Sequence, residues 1–496
     1  MVRFRNPALF RFAVMLFLAL LLASPAPGQL GPDGLPPADD GGNDDGDGGN
    51  ADGDGDEQDG DNVNIIGGRI PGAGVIIDPQ GVLSVKRIDP TGRLDRRRRQ
   101  QAAAALDPDL ARPSDLRKVS LNRLEQSISE LLAAGQQPTD DMLYLAGLTE
   151  IQYVFYYPET RDIVIAGPAE GFMLDDMARP RGIISGRASL QLEDLIVALR
   201  TYGPNSKPVR SVGVSIDPTK EGLTKMQEFL AQFGRRAVPA DTRRIVDGLK
   251  SSLGNQVVSV RGVPATTHFA NVLVEADYRM KLIGIGLEQP PVKISSYVRR
   301  ASPSKISRNA LQRWFFIPDY ESVRVSDDGL AIALEGDRVK LVGADELVRT
   351  DGTRVKSRSG DRASQMFVQS FTARYPELAR KAPVYAQMRN LIDMLIAAAY
   401  IQEQDFYGQA DWSMEVFGDE SQMPVEIYTA AKEVDTAINA IWKGNTLMTP
   451  IGGGVHINAR KAISSQQIQA DTEGAVSDQR EKVALDQLKD GQWWWD

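Results

Sequence analysis

The sequence predicts an α/β or α+β fold, in which a mixed-sheet domain is followed by a β-meander and a helical domain. Three observations support this prediction. Between residues 114 and 290, short segments rich in β-branched and aromatic residues alternate with apolar patterns of helical period. Short strand patterns separated by turn residues follow over 314–348. A long helical pattern then runs from Ala363 to Gln404.

Residues 114–290 form the first predicted domain. Its opening helix has leucine and isoleucine side chains on one face over 121–132, and Gly135 ends it. The aromatic stretch 151–157 and the apolar stretch 162–166 flank a Pro-Glu-Thr-Arg turn. This arrangement predicts a β-hairpin.

The same domain continues with a predicted helix over 192–199, a strand over 212–216 and a further helix. Asp217 and Pro218 predict the start of that last helix, because aspartate is a favoured N-cap and proline is tolerated at the first helical position. The two prolines at 290–291 then mark the predicted domain boundary.

The second predicted domain, residues 291–463, combines the β-meander with helices. The long helical pattern contains two prolines, where we expect interruptions. The sequence pattern predicts an extended segment over 415–428 and a further helix over 431–442. A polar tail over 464–496 ends in a cluster of tryptophans.

Residues 1–113 predict an export signal, a spacer and a linker. Residues 1–28 contain arginines, an apolar run and a small-residue cleavage region, which is the order of a cleavable signal peptide. The acidic Gly/Asp-rich stretch 29–62 predicts a disordered spacer, and its Asp-Gly spacing leaves calcium binding open. Residues 63–113 predict a β-hairpin and an Arg/Ala-rich helical linker. We therefore expect an exported chain in the periplasm, at the cell surface or outside the cell, without a transmembrane span after signal cleavage.

The composition excludes several classes of site. The 496-residue chain has no cysteine and two histidines, His268 and His456. Disulfides, thiolate metal sites, a cysteine nucleophile and a multi-histidine metal site are therefore excluded. The formal net charge of −9 comes from the first 62 residues, because the spacer has twelve acidic residues and no basic ones, residues 1–28 have three arginines, and the 54 basic and 54 acidic residues of the rest balance. A neutral body argues against nucleic-acid binding, and the sequence predicts no cofactor and no metal site.

The sequence contains no recognisable catalytic motif, and we predict no catalytic residue from it. The two histidines could serve an irregular Ser-His-Asp triad or could be structural, and the segment around Ser215 lacks the closing glycine of a nucleophile elbow. Carboxylates for glycoside hydrolysis cannot be identified by spacing, because the two acids can come from distant segments. An acidic, aromatic stretch could contact a sugar or form a surface loop, and its residues are Asp411, Trp412, Glu415, Phe417, Asp419 and Glu420.

Two segments are candidates for binding. A triple glycine could bring the backbone close to a ligand, or it could form a tight turn or bulge between strands. The terminal tryptophans could fold back into a groove, or they could dock on a partner or a membrane interface. The candidate binding residues are Gly452, Gly453, Gly454, Trp493, Trp494 and Trp495.

Long segments between residues 151 and 463 carry a family resemblance. They are YVFYYP (153–158), AGPAEG (166–171), VSIDPT (214–219), ADYRMK (276–281), WFFIPDY (314–320) and WKGNTLMTPIGGGV (442–455). Together they resemble an uncharacterised family of exported planctomycete proteins, which is known only as a domain of unknown function. The resemblance implies a planctomycete source and a cell-envelope location, and it implies no catalytic or binding residue.

These observations favour a non-catalytic envelope protein with a binding or structural role, whose partner is an envelope protein or a glycan. The alternative is a secreted, carboxylate-dependent hydrolase acting on polysaccharide. The two hypotheses differ in one structural feature. An enzyme is expected to have a concave pocket with two facing acids and perturbed pKa values, whereas a binding module is expected to have only an exposed aromatic or apolar patch.

Overall fold

The computed structural model of the chain contains two large mixed β-sheets with helices packed on them, which confirms the predicted fold class. It describes residues 75–85, 93–175, 177–207, 209–233, 238–301, 310–348, 354–356, 361–439, 441–443, 446–448, 453–482, 485, 488–489 and 491–496. The predicted signal peptide and acidic spacer lie outside these residues.

The regular elements are numbered in chain order. The strands are β1 (Val75–Ile77), β2 (Val82–Val85), β3 (Ser114–Ser120), β4 (Tyr153–Tyr157), β5 (Asp162–Ala169), β6 (Phe172–Leu174), β7 (Pro180–Gly182), β8 (Val212–Asp217), β9 (Gln256–Arg261), β10 (Ala310–Pro318), β11 (Val323–Val325), β12 (Ala331–Leu334), β13 (Val339–Val348), β14 (Arg354–Lys356), β15 (Glu433–Val434), β16 (Ile441–Lys443), β17 (Thr446–Met448), β18 (Gly453–Ile457), β19 (Gln469–Ala470) and β20 (Trp494–Trp495). The α-helices are α1 (Arg93–Ala105), α2 (Pro108–Ala111), α3 (Leu121–Ala133), α4 (Asp140–Leu143), α5 (Leu192–Thr201), α6 (Lys220–Phe233), α7 (Thr242–Leu253), α8 (His268–Ile285), α9 (Tyr297–Arg300), α10 (Arg362–Lys381), α11 (Pro383–Glu403), α12 (Phe406–Gln409), α13 (Ala459–Ala462) and α14 (Ala475–Glu481).

The nine-stranded sheet has the strand order β1-β2-β15-β9-β8-β18-β10-β13-β14. Its inner strand β18 pairs antiparallel with β8 and parallel with β10. Glycine is needed there, because a Cβ atom on Gly453 (φ +146°) would overlap the carbonyl oxygen of Trp314, and one on Gly454 would overlap that of Val214. Two of the candidate binding glycines therefore permit close strand pairing, and Gly452 lies outside the described residues.

The seven-stranded sheet has the strand order β19-β11-β12-β4-β5-β3-β20. The predicted hairpin forms strands β4 and β5, in which Phe155 is opposite Val164. Both large sheets take strands from either side of residue 290. The two segments that the sequence separates therefore share their sheets.

Helix α11 lies at the centre of the apolar core and packs against α5, α8 and α10. Its side chains are buried almost throughout, from Val384 to Ile401. Among the described residues, no helix combines the length and the apolar character that a membrane crossing requires. The predicted interruption of the long helical pattern falls at Ala382, whereas Pro376 lies inside α10.

Several local predictions are wrong. Strands β10 to β13 do not form a meander, because β10 pairs with β13 in the nine-stranded sheet while β11 and β12 pair with each other in the seven-stranded sheet. Asp217 does not cap helix α6 but ends strand β8, where its carboxylate accepts a hydrogen bond from Arg313 Nη2 at 3.0 Å. The helix begins at Lys220, and the hydroxyl of Thr219 accepts from the backbone N–H of Gly222 at 2.9 Å. The helix expected over 431–442 is replaced by short strands, because β15 lies between β2 and β9 in the nine-stranded sheet and pairs with both.

Candidate functional site

A cavity of about 830 Å³ opens beside the N-terminal end of helix α5. Its wall is formed by α1, the end of α4, the turn between β6 and β7, the start of α5 and the irregular segment 423–428. The lining combines apolar side chains with carboxylates and hydroxyls. The lining residues with polar side chains are Arg98, Tyr144, Asp175, Gln191, Glu193, Glu426 and Tyr428.

Helix α5 directs two neighbouring acids to opposite sides of the cavity wall. Glu193 and Asp194 are consecutive in its first turn. Successive helical residues point about 100° apart, so Glu193 lines the cavity while Asp194 lies inside the protein. The acids of this turn are also near the positive end of the helix dipole.

The hydroxyl of Tyr428 joins two carboxylates in the cavity. It lies 3.2 Å from Glu193 Oε1 and 3.2 Å from Glu426 Oε2. The segment that carries Tyr428 is held in place by a backbone hydrogen bond of 2.7 Å from its N–H to the carbonyl oxygen of Thr266. A phenol carries one proton and can donate it to only one of the two carboxylates. Both contacts are hydrogen bonds when one carboxyl group carries a proton of its own.

Glu193 can carry this proton, because burial raises the pKa of its carboxyl group to about 7. The negative charges of Asp194 and Glu426 raise the pKa further. A positive charge on His268 and the hydrogen bond from Tyr428 oppose the increase. Near neutral pH, Glu193 is therefore present in both its acid and its anionic form.

His268 occupies the first position of helix α8, near enough to Glu193 for a positive charge on its ring to act on that carboxyl group. Its side chain is buried, and its Nδ1 atom is 2.9 Å from Asp194 Oδ2. The amide nitrogens of Gln191 and Gln387 lie 3.3 and 3.4 Å from His268 Nε2. Gln191 and Tyr428 both line the cavity, and the ring centroid of Tyr428 is 6.0 Å from that of His268.

His456, the other histidine, lies in strand β18 opposite Gly213 and is partly buried. Burial lowers its pKa, and the positive charges of Arg261 and Lys461 add to this effect. It is not among the residues that line the cavity. The structure therefore gives the two histidines different environments and brings only His268 next to the candidate site.

The terminal tryptophans lie against the chain itself. Trp494 and Trp495 form β20, which pairs with β3, and the side chains of Trp493 and Trp495 are buried. The Asp496 carboxylate accepts a 2.8 Å hydrogen bond from Nε of the buried Arg117. This is the folded-back arrangement. The assignment of these tryptophans and of the glycines as binding residues stays a prediction.

The acidic, aromatic segment 411–420 does not line the cavity. The rings of Trp412 and Phe417 are buried, and the Trp412 indole donates to the carboxylate of Glu125. These rings are therefore not available to stack on a sugar. The four acids of the segment are exposed: Asp411, Glu415, Asp419 and Glu420.

The sequence interpretation missed Glu193, Glu426 and Tyr428. Glu193 is an acid in the first turn of a helix, which is common without any function. Tyr428 is 235 residues away in the chain, in a segment without regular structure, and only the fold brings it to Glu193. Within the described residues, no group of three or more Asp, Glu, His or Cys side chains is arranged to hold a metal ion.

Comparison with protein families gives one match. Residues 214–297 are similar to a domain described as a protein of unknown function, DUF1598. This segment runs from strand β8 through helix α8 and includes His268. No curated protein and no solved structure matches the chain.

Proposed function

We propose that the chain is an exported hydrolase that uses Glu193 and Glu426 to cleave a polysaccharide. The observation that supports this proposal is the pair of carboxylates joined by the Tyr428 hydroxyl inside a cavity. A concave pocket with two facing acids, one of them with a raised pKa, is the feature expected of a carboxylate-dependent enzyme.

The two acids have different environments, which suits them to different roles. Glu193 is partly buried and retains a proton near pH 7, so it acts as the general acid. Glu426 is exposed and receives the hydrogen bond of Tyr428, so its carboxylate acts as the nucleophile. Their nearest oxygens are no more than twice 3.2 Å apart. This upper limit is compatible with the roughly 5–5.5 Å between the carboxyl groups of retaining glycosidases, and the nucleophilic role proposed for Glu426 corresponds to a retaining mechanism.

The reaction then has two steps. Glu426 attacks the anomeric carbon while the glycosidic C–O bond breaks, and Glu193 gives its proton to the departing oxygen. The second step adds water to the same carbon. Glu193 takes one proton from that water, the bond to Glu426 breaks, and the sugar leaves with the hydroxyl group. Both side chains return to their starting forms.

A second candidate function is non-catalytic binding of a glycan or an envelope protein. The observation that favours it is the position of the Tyr428 hydroxyl, which occupies the space between the two carboxylates where a scissile bond has to lie. In this case the Glu193–Tyr428–Glu426 group would serve as a fixed set of hydrogen-bonding groups.

The two functions are separated by incubating the purified chain with soluble polysaccharides that contain α- and β-linked neutral sugars, amino sugars and uronic acids. Hydrolysis is followed by the release of reducing ends, and the anomeric form of the first product by NMR. We expect hydrolysis with retained configuration, which Glu426→Gln abolishes and Glu415→Gln leaves unchanged. Binding without release of reducing ends would refute the hydrolase and support the second candidate. Neither binding nor release would refute both the hydrolase and the binding of a glycan.

We also propose that the chain is exported to the cell envelope, which the order of features in residues 1–28 and the family resemblance over 151–463 support. Mass spectrometry of the protein purified from its native cells is expected to find an N-terminus close to Gln29 in the envelope or the medium. Recovery of the chain from the cytosol with residues 1–28 attached would contradict export.

A further inference from the structure

We infer that Arg200 is a positioning residue for Glu426 and Tyr428, because its guanidinium group holds the segment that carries both of them. This segment, residues 417–428, is held against helix α5. The inference rests on the proposed function, in which Glu193 is the general acid and Glu426 is the nucleophile. Arg200 is not among the residues that line the cavity, so it acts on the site through the backbone of the segment.

The guanidinium group of Arg200 binds the segment at three points. Arg200 lies in the last turn of α5, about two helical turns after Glu193. Its Nε atom donates to the carbonyl oxygen of Phe417 at 2.7 Å, and its Nη2 atom donates to that of Met423 at 2.6 Å. Its Nη1 atom donates to the carboxylate of Glu420. The donors of a guanidinium group form a rigid, planar fork, so these three points have fixed positions relative to the helix.

Two further hydrogen bonds extend this network to the cavity. Glu420 Oε1 accepts from the backbone N–H of Val425 at 3.1 Å. Val425 lines the cavity and directly precedes Glu426 in the chain. At the start of the segment, the N–H of Phe417 donates to the buried Glu125 on α3 at 2.6 Å. The contacts of Arg200 therefore reach the residue next to the proposed nucleophile.

The part of the segment that forms the cavity wall depends on its two ends. It has no regular secondary structure, so it is not held by the hydrogen bonds of a helix or a sheet. The N–H of Tyr428 donates to the carbonyl oxygen of Thr266 at one end, and Arg200 binds the other end. Ile427 is 80 % exposed, so burial of this side chain contributes little. The position of Glu426 is therefore set by the contacts at both ends.

Helix α5 thereby connects the two proposed catalytic acids. It carries Glu193 in its first turn, and through Arg200 in its last turn it holds the segment that carries Glu426. A displacement of a reacting group by about 1 Å can cost roughly 10²-fold in rate. Loss of Arg200 is therefore expected to impair attack by Glu426 while Glu193 keeps its place on the helix.

The test compares Arg200→Ala with the wild-type full-length chain. We expect the variant to cleave a polysaccharide and an aryl glycoside more slowly by the same factor, roughly 10²-fold, because both substrates need the nucleophile. An effect on proton donation by Glu193 would instead spare the aryl glycoside, whose leaving group needs little help from an acid. Millimolar guanidinium ion fits the space of the missing group and is expected to raise the rate of the variant. A chain that is only destabilised would lose activity, because guanidinium is a denaturant.

The matched control is Arg324→Ala. Arg324 also binds a carboxylate, that of Glu335, and a backbone carbonyl oxygen, that of Ala470, but it does not line the cavity. We expect Arg324→Ala to leave both rates unchanged and to show no increase with guanidinium. Arg200→Lys is a second variant that keeps the positive charge but lacks the forked donors. It is expected to lose activity on both substrates, as Arg200→Ala does.

A second measurement needs no substrate. Hydrogen exchange followed by mass spectrometry is expected to be roughly 10-fold faster over 417–428 in Arg200→Ala, because hydrogen bonds from a charged group are lost. Exchange that is unchanged over 417–428, or faster over the whole chain in both Arg200 variants, would overturn the inference, as would full activity of Arg200→Ala. Faster exchange confined to the segment in a chain that hydrolyses no polysaccharide would support the role of Arg200 while refuting the hydrolase.

Discussion

Glu193→Gln is expected to lower the hydrolysis of a polysaccharide substrate by roughly 10²–10⁴-fold, the range that a positioned general acid contributes. Glutamine has nearly the same shape and still forms a hydrogen bond with Tyr428, but it has no proton to give to a leaving group. We expect the loss to appear in kcat, while substrate binding changes only a few-fold. The measurement is the initial rate of reducing-end release as a function of substrate concentration.

A substrate with a good leaving group provides an internal check on this prediction. An aryl glycoside needs little help from an acid when its bond to the sugar breaks, so Glu193→Gln should slow its cleavage much less than that of the polysaccharide. Glu415→Gln is the control for a changed surface charge. Equal losses for both substrates, or full activity of Glu193→Gln on the polysaccharide, would show that Glu193 is not the general acid.

The largest effect on stability is expected from Asp277→Leu. Lys281 is buried, and its Nζ atom donates to Asp277 Oδ2 at 2.8 Å and to the carbonyl oxygens of Ile216 and Gly453 at 2.9 and 3.1 Å. The lysine on α8 thereby ties the helix to strands β8 and β18. Removing the carboxylate leaves a buried ammonium group without the counter-charge that is hydrogen-bonded to it, which costs about 3–5 kcal/mol. The free energy of unfolding in urea measures the loss.

The double variant Asp277→Leu/Lys281→Met separates charge from packing. It removes both charges and replaces them with apolar side chains, so we expect it to recover most of the stability lost in the single variant. Burial raises the pKa of Asp277 to about 6 and lowers that of Lys281, in agreement with a pair that is costly to desolvate. If the single and double variants were equally unstable, packing rather than the ion pair would explain the loss.

The sequence predicted those elements whose own residues determine them. The apolar face of α3, the start of α5 near Leu192 and the hairpin of β4 and β5 all follow from local periodicity and turn residues. The β1–β2 hairpin and the Arg/Ala-rich helix α1 were found for the same reason. Local patterns also sufficed for the fold class.

The predictions failed where distant segments decide the structure. Residues 433–434 join strands β2 and β9, and this pairing overrides the helical preference of the segment. Asp217 has the chemistry of a helix cap, but Arg313 from strand β10 binds its carboxylate. Neither partner could be identified from spacing along the chain.

The site was predicted even less completely, because its groups come from three distant parts of the chain. The sequence identified His268 as one of two histidines, but its hydrogen-bond partner Asp194 lies 74 residues away in the chain. Glu426 and Tyr428 belong to a segment without regular structure, and neither lies in a recognisable motif. The raised pKa of Glu193 comes from burial, which only the folded chain provides.

The proposed role of Glu193 as a general acid requires that its carboxyl group carries a proton near pH 7. This protonation can be measured without knowing the substrate. Glutamate labelled with ¹³C at the side-chain carboxyl is incorporated into the wild-type chain and into Glu193→Gln, and the spectra are compared from pH 3 to 9. The carboxyl signal that is absent from the variant is expected to titrate near pH 7. A midpoint close to the ordinary glutamate value of about 4.3 would contradict the account, because Glu193 would then carry no proton to donate.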